Sequence, residues 1–277
     1  MSISFSSSFL TTLLGRNVAN STKALSKNLQ RLSSGVRVNS AADGATDLRM
    51  ADALTTQIRG LAVAKRNTND GVSLTQVAEA ALTETTNALQ SIREYALEAQ
   101  TSTSSSADRQ TLQTEVNAML SEISRIATQT EFSNLRLLAG SFDAMQFMIG
   151  AENNNTLDIT ISGASYSALG LDTNSGIGVT TASAASVTVA NIDTALERIA
   201  NIRGQLGGAQ ARFSSILNQI DATTTALSAA KSTLLDTDVA EESAAMTRNA
   251  ILQQAGVAVM AQANLQPKVL LQLLSTE

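Results

Sequence analysis

From Ile192 onward the chain places a bulky apolar residue at every seventh position: Ile192, Ile199, Leu206, Phe213, Ile220, Leu227 and Leu234. Three residues after each of the first six stand Ala195, Ile202, Ala209, Ile216, Thr223 and Ala230, which completes an a/d heptad seam. A seam sustained that long requires a helix pressed along one stripe against a partner. About 45 residues rising 1.5 Å each give a rod of roughly 65 Å. Bulky a positions alternating with Ala or Ile at d predict a close helix approach, and Gly204, Gly207 and Gly208 mark a local weak point.

Two further stripes follow the helical period. Leu112, Val116, Met119, Ile123 and Ile126 step four, three, four, three, after a Ser-rich turn over 101–106, with Asp108 as the expected cap. Over 46–99 the stripe runs Ala51, Leu54, Ile58 and Leu61, then Leu74, Ala78, Ala81, Thr85, Ala88, Ile92 and Tyr95. Asn69-Asp70-Gly71 between them would ordinarily mark a turn. The stripe resumes beyond it with the same hand, so one continuous helix is expected. Both chain ends carry helical stripes as well: Leu25, Leu29, Leu32 and Val36 at one end, and Val239, Met246, Leu252, Val259, Met260 and Leu273 at the other.

Only residues 133–187 lack this pattern. Met145–Ile149 and Leu157–Ile161, joined by Glu152–Asn155, predict a β-hairpin. Gly163–Ser186 reads as an exposed loop with one more strand. The expected fold is mainly α: an antiparallel bundle of long helices with a terminal helix pair and a small β-hairpin insert. Residues 1–44 with 236–277 form a terminal coiled-coil domain in this reading, and 45–235 the helical bundle domain.

Composition narrows the chemistry. The chain has 277 residues with no His, no Cys and no Trp, one Pro, and only 3% aromatic residues. That excludes Ser-His and Cys-His nucleophile pairs, Cys/His zinc sites and disulfides. No P-loop, dinucleotide motif, metal-ligand spacing or carboxylate pair suited to catalysis occurs, so neither cofactor nor enzymatic activity is expected. Ala supplies 43 residues and Ser with Thr another 63, a palette for closely packed long helices.

Net charge is −5, unevenly spread. Residues 1–42 hold Arg16, Lys23, Lys27, Arg31 and Arg37 and no acid, whereas 236–277 hold Asp236, Asp238, Glu241, Glu242 and Glu277 against Arg248 and Lys268. The basic end lacks the aromatics and the dense basic run that a nucleic-acid arm needs. Complementarity to the acidic end is the better reading. The acids at 236–242 are expected to be solvated first-turn residues favoured by a helix dipole, rather than a cation site. Neither a cleavable signal peptide nor a membrane span is expected, so an exported chain would need a leaderless route. Between Arg248 and Lys268 there is no charge, and the apolar residues lie on more than one helical face. A helix apolar on more than one face must be covered on more than one side, and further copies of the chain can do that. Opposed, sticky ends of this kind suit a subunit stacked by a heterologous contact into a filament.

Several blocks then resemble those of bacterial flagellins. Arg31-Leu32-Ser33-Ser34-Gly35-Val36-Arg37-Val38-Asn39-Ser40-Ala41-Ala42-Asp43 is similar to the family's RLSSG and NSA-x-D block, and Arg66-Asn67-Thr68-Asn69-Asp70-Gly71-Val72-Ser73-Leu74 to its RNxNDGISL block. Glu79–Leu82, Leu89–Glu94 and Thr130–Asn134 follow at the family's spacing. Near the other end stand Asp236–Glu242, Ile251–Ala255 and Ala261–Asn264. The resemblance covers about 1–140 and 188–277. It implies an extracellular flagellar filament of many copies, with flagellar export apparatus, chaperone, cap and junction proteins as partners. It also implies that the terminal helices line the filament channel. With only 133–187 in the middle, the family's outer domains are absent and a thin filament is expected.

In the family an innate receptor reads a face whose equivalents here are Ser91, Arg93, Tyr95 and Glu115. Ser91 replaces a usual Arg and Tyr95 a usual Leu, so weak recognition is expected. O-linked sugar on the 160–187 loop is an open alternative to an unmodified one. Two other readings of the chain are a junction protein between hook and filament, with the same terminal helices, and a secreted coiled-coil effector.

Overall fold

The computed structural model describes residues 2–172 and 177–274. In chain order its elements are α1 (Ser2–Ser34), α2 (Ala41–Gln100), α3 (Ser106–Gln129), β1 (Glu131–Phe132), β2 (Leu135–Arg136), β3 (Met145–Met148), β4 (Thr156–Ile159), α4 (Ala182–Leu235) and α5 (Val239–Leu274). The chain divides into two compact units, one of Met1–Thr56 with Ala226–Glu277 and one of Gln57–Thr225.

The bundle unit, 57–225, has a continuous apolar core. Leu74, Leu82, Leu89 and Ile92 of α2, Val116 and Ile123 of α3, and Ile192, Ile199, Leu206 and Phe213 of α4 are buried in one cluster. α2 runs unbroken through Asn69-Asp70-Gly71, and the reason is local. A Cβ on Gly71 would collide with the Phe213 ring, so the glycine makes room for the largest side chain of the α4 seam. The same ring meets Phe147 of β3 edge to face, with centroids 5.7 Å apart and planes at 81°. Asn67, one turn earlier on α2, donates from Nδ2 to the Met148 carbonyl at 3.2 Å. A turn signal in the sequence is therefore the socket of the hairpin.

Three ion pairs tie α2 to α4 at every second heptad of α2: Lys65–Asp221 at 2.6 Å, Glu79–Arg203 at 2.7 Å and Arg93–Asp193 at 2.7 Å. Such half-exposed pairs add little stability. All three fit one antiparallel register.

The structure corrects four details. Ser105, not Asp108, caps α3: its side chain accepts from the Asp108 N–H while the Asp108 carboxylate accepts from the Ser105 N–H, a capping box. These bonds hold the Asp108 carboxyl below its ordinary range. The buried stripe of α3 is Val116, Leu120, Ile123 and Ala127, so Met119 and Ile126 lie at its edge. No further strand follows β4 among the described residues, and α4 begins at Ala182, inside the stretch expected to be loop. Finally, that loop is not a solvated tether. Ile161, Ala164, Leu169, Leu171, Ile177 and Val179 are buried in the bundle core, and Gln113 Oε1 accepts from the Val179 N–H at 2.7 Å. An irregular segment can lie there because side chains bond its main chain.

β1 and β2 form a short antiparallel hairpin whose corner residues Ser133 and Asn134 both have positive φ, 50° and 65°. β3 and β4 pair antiparallel with Phe147 opposite Leu157.

Candidate functional site

The terminal unit is built from α1, the start of α2, the end of α4 and α5. Gly35 ends α1 in the left-handed region, φ 71°, with its N–H on the Arg31 carbonyl at 2.8 Å. The chain then forms a one-residue β-bridge, Val36 against Asp236. The Thr237 N–H bonds the Gly35 carbonyl at 3.1 Å, and the Arg37 guanidinium donates to the Leu234 carbonyl at 3.0 Å. Ser40 opens α2, its N–H and hydroxyl both donating to Asp43. Asp238 caps α5, its Oδ1 accepting from the Ala240 N–H at 2.8 Å.

Lys27 pairs with Asp43 at 2.7 Å, and this contact, with the Ser40 bonds, holds the Asp43 carboxyl down to about 2. Arg37 faces Asp47 at 3.8 Å. Of the basic residues in 1–42, only Arg31 has a described ion pair with the acidic end, to Glu242 at 3.7 Å. Glu242 is buried at 8% exposure rather than solvated as expected.

α1 and α5 pack antiparallel with Cα atoms within 8 Å along their contact. Small residues permit this approach: a Cβ on Gly256 would press on Val18 Cγ2. Gln253 Nε2 donates to Thr22 Oγ1 at 3.0 Å. Yet among the described side chains of the two helices only Asn28 and Glu242 are buried. Leu25, Leu32, Val36, Met246 and Met260 are half-buried, while Leu29, Val239, Leu252 and Val259 are exposed. Leu273 lies in α5, but its side chain is outside the described residues. Phe9 at 72%, Ile251 at 60% and Val257 at 52% join the exposed apolar set. Leu14, Val18, Leu252, Gly256 and Val259 line an open groove of about 440 Å3 between the two helices. No helix is long and apolar enough to cross a membrane, and no cluster of acidic residues could hold a metal, among the described residues.

Residues 5–143 match the model of the bacterial flagellin N-terminal helical region, and residues 189–274 that of the flagellin C-terminal helical region. The chain belongs to the bacterial flagellin family. It is 35% identical to flagellin FlaB1 of Treponema pallidum over 272 residues, covering 94% of this chain and 95% of that one. It is 36% identical to the flagellar filament 30.7 kDa core protein of Treponema maltophilum, covering 90% and 91%, and 35% identical to flagellin of Bacillus subtilis strain 168, covering 93% and 95%. Flagellins are structural proteins that polymerise into the extracellular flagellar filament, and this flagellin is a structural filament subunit.

The family blocks now have physical content in this flagellin. The first contains the α1 stop at Gly35, the bridge at Val36, the Ser40–Asp43 cap and the Arg31 partner of Glu242. The second contains the Asn67 and Gly71 socket. Of the α4 seam, Ile192, Ile199, Leu206, Phe213 and Ile220 are buried in this structure, and Leu227 and Leu234, in the terminal unit, are half-buried. Ser91 lines a groove of about 750 Å3 between α2 and α3 with Met119 and Ile126. Tyr95 packs on the bundle core, Arg93 is engaged by Asp193, and Glu115 is exposed on α3.

Sequence reasoning missed Asn28, Arg31 and Glu242 as a group. The signal was available: with Val18, Leu25 and Leu32 at heptad a positions, Asn28 falls at d, the place where a polar residue specifies pairing.

Proposed function

We propose that this flagellin polymerises through its terminal helix pair, about 1–44 with 236–277, as the inner-core domain, with 45–235 as the bundle domain. Leu25, Leu29, Leu32, Val36, Val239, Met246, Leu252, Val259, Met260 and Leu273 carry the inner-core contacts. One observation carries this reading: Ile251, Leu252, Val257 and Val259 of α5 are each at least half exposed. Covering one such side chain stabilises by roughly 1.5–3 kcal/mol, and copies of the same pair supply the cover.

The chain acts as a scaffold without enzymatic activity or cofactor, leaves the cell without a cleaved signal peptide, and meets export apparatus, chaperone, cap and junction proteins on its way. Recognition by the innate receptor is weak, because Ser91 and Tyr95 depart from the usual side chains and Arg93 is held by Asp193. A receptor-reporter assay with full-strength response to the monomer contradicts that last point.

Electron microscopy of the purified full-length chain with short filament seeds under salting-out conditions tests the main reading. Long uniform filaments are expected. Chains that dock on seed ends without extending them indicate the junction adaptor, and chains that ignore seeds indicate the effector.

A further inference from the structure

We infer that Asn28, Arg31 and Glu242 set the register in which α1 pairs with α5, and so choose the apolar face that the pair offers to other copies. The inference rests on the reading that this pair polymerises.

The starting point is what the pair lacks. A coiled coil normally finds its register by burying large apolar side chains at a and d. Here the contact is made by half-open Leu25, Leu32, Met246 and Met260 with Thr22, Gln253 and Gly256 between them. Shifting α5 by one heptad brings Met246 or Met260 to the place of Gln253 and Asn249 or Ala263 to that of Gly256, so a slip still keeps a methionine in the contact and apolar burial alone does not fix one register.

The two buried residues discriminate strongly. Asn28, 7% exposed, donates from its amide to the Ala24 carbonyl in its own helix and accepts across the interface from the Met246 N–H at 3.1 Å, its amide oriented as these neighbours require. One turn further along, Arg31 faces Glu242, their side chains 24% and 11% exposed. Arg31 Nε is buried without a hydrogen-bond partner, so this nitrogen already sits where water does not satisfy it. A slipped register takes this cation away from the Glu242 carboxylate, and a buried carboxylate without its partner is costlier than the imperfect pair they form. The bridge at Val36 and Asp236 joins the turns at the ends of the helices. The three side chains act inside the helical contact, where a slip is decided.

The chain has no cysteine, so engineered pairs can report register. Val18→Cys with Gly256→Cys marks the observed pairing. Val18→Cys with Asn249→Cys or Ala263→Cys marks a heptad slip in either direction. In the otherwise unchanged full-length chain, oxidation is expected to link 18 with 256 alone. With Asn28→Leu, Arg31→Leu and Glu242→Leu together, the pair stays helical but cross-links appear at all three combinations, and seeded elongation slows at least about tenfold. Arg31→Glu alone has the same consequence, and Arg31→Glu with Glu242→Arg restores both the single cross-link and growth to within about threefold.

A triple-leucine chain that cross-links only 18 with 256 and extends seeds at the parental rate overturns the inference and leaves the bridge as the register device. Arg31→Glu that the swap does not rescue overturns it too. If the parental chain itself fails to extend seeds, the polymerisation reading fails, and the cross-link pattern still decides the register.

Discussion

The bundle unit and the terminal pair are made of the same elements, long helices with heptad stripes, yet they bury opposite kinds of residue. The bundle hides Phe213, Leu74, Leu82, Leu89, Ile92, Ile123 and Ile192 almost completely. The described part of the terminal pair hides an asparagine and a glutamate and leaves Ile251, Leu252, Val257 and Val259 open. A region that buries its apolar surface within one chain is finished when it folds. A region that buries two polar side chains and leaves apolar ones open is, on the proposal made above, finished by other copies.

The comparison breaks most visibly on the open side. Leu252→Asp places a charge on a face that this account fills with neighbouring copies. Seeded elongation is expected to fall more than about a hundredfold, since burying an unpaired carboxylate is far costlier than the leucine contact it replaces. The thermal melting of the bundle is expected to stay unchanged. Loss of both would show that the face belongs to the monomer fold.

The next effect lies in the bundle and runs the other way. Phe213→Ala empties the contact with Phe147 and the Gly71 socket and is expected to destabilise the bundle by about 3–5 kcal/mol in denaturant unfolding. Gly71→Ala drives a methyl into the Phe213 ring and should lose about 1–3 kcal/mol, a loss that Phe213→Leu in the same chain partly recovers. Simple additivity in that pair would place the ring elsewhere.

The smallest effect is electrostatic. Asp43 has its carboxyl lowered from 3.8 to about 2 by Lys27 and Ser40. A carboxyl with a depressed folded value stabilises above its unfolded value, and that contribution disappears as pH falls through the folded one. The stability difference between the parent and Asp43→Asn should therefore be present above pH about 4 and vanish towards pH 2. A difference that persists in acid would assign the effect to something other than this charge.

These outcomes also separate what was legible in the sequence from what was not. Periodicity gave the helices because a heptad stripe is a local property, and the α4 seam from Ile192 to Ile220 is buried as a stripe should be. The hairpin at 145–159 was legible for the same reason. The position of the α3 stripe was not, because Leu120 and Met119 are equally apolar and only the partner helix selects one. The loop after β4 looked solvated because its Ser, Thr and Gly outnumber its apolar residues. Its buried Ile161, Leu169, Leu171 and Val179 are spaced without a period, so no pattern announces them. The Asn28, Arg31 and Glu242 group joins residues more than two hundred positions apart, and only the antiparallel pairing of α1 with α5 brings them together.

Amide hydrogen exchange on the monomer and on the assembled filament tests the central claim most directly. In the monomer, amides of α1 and α5 are expected to exchange far faster than those of α2, α3 and α4 in the bundle, and in the filament the terminal pair should become protected to a similar degree. Terminal amides already as protected in the monomer as those around Phe213 would contradict the account, because the pair would then be complete without its neighbours.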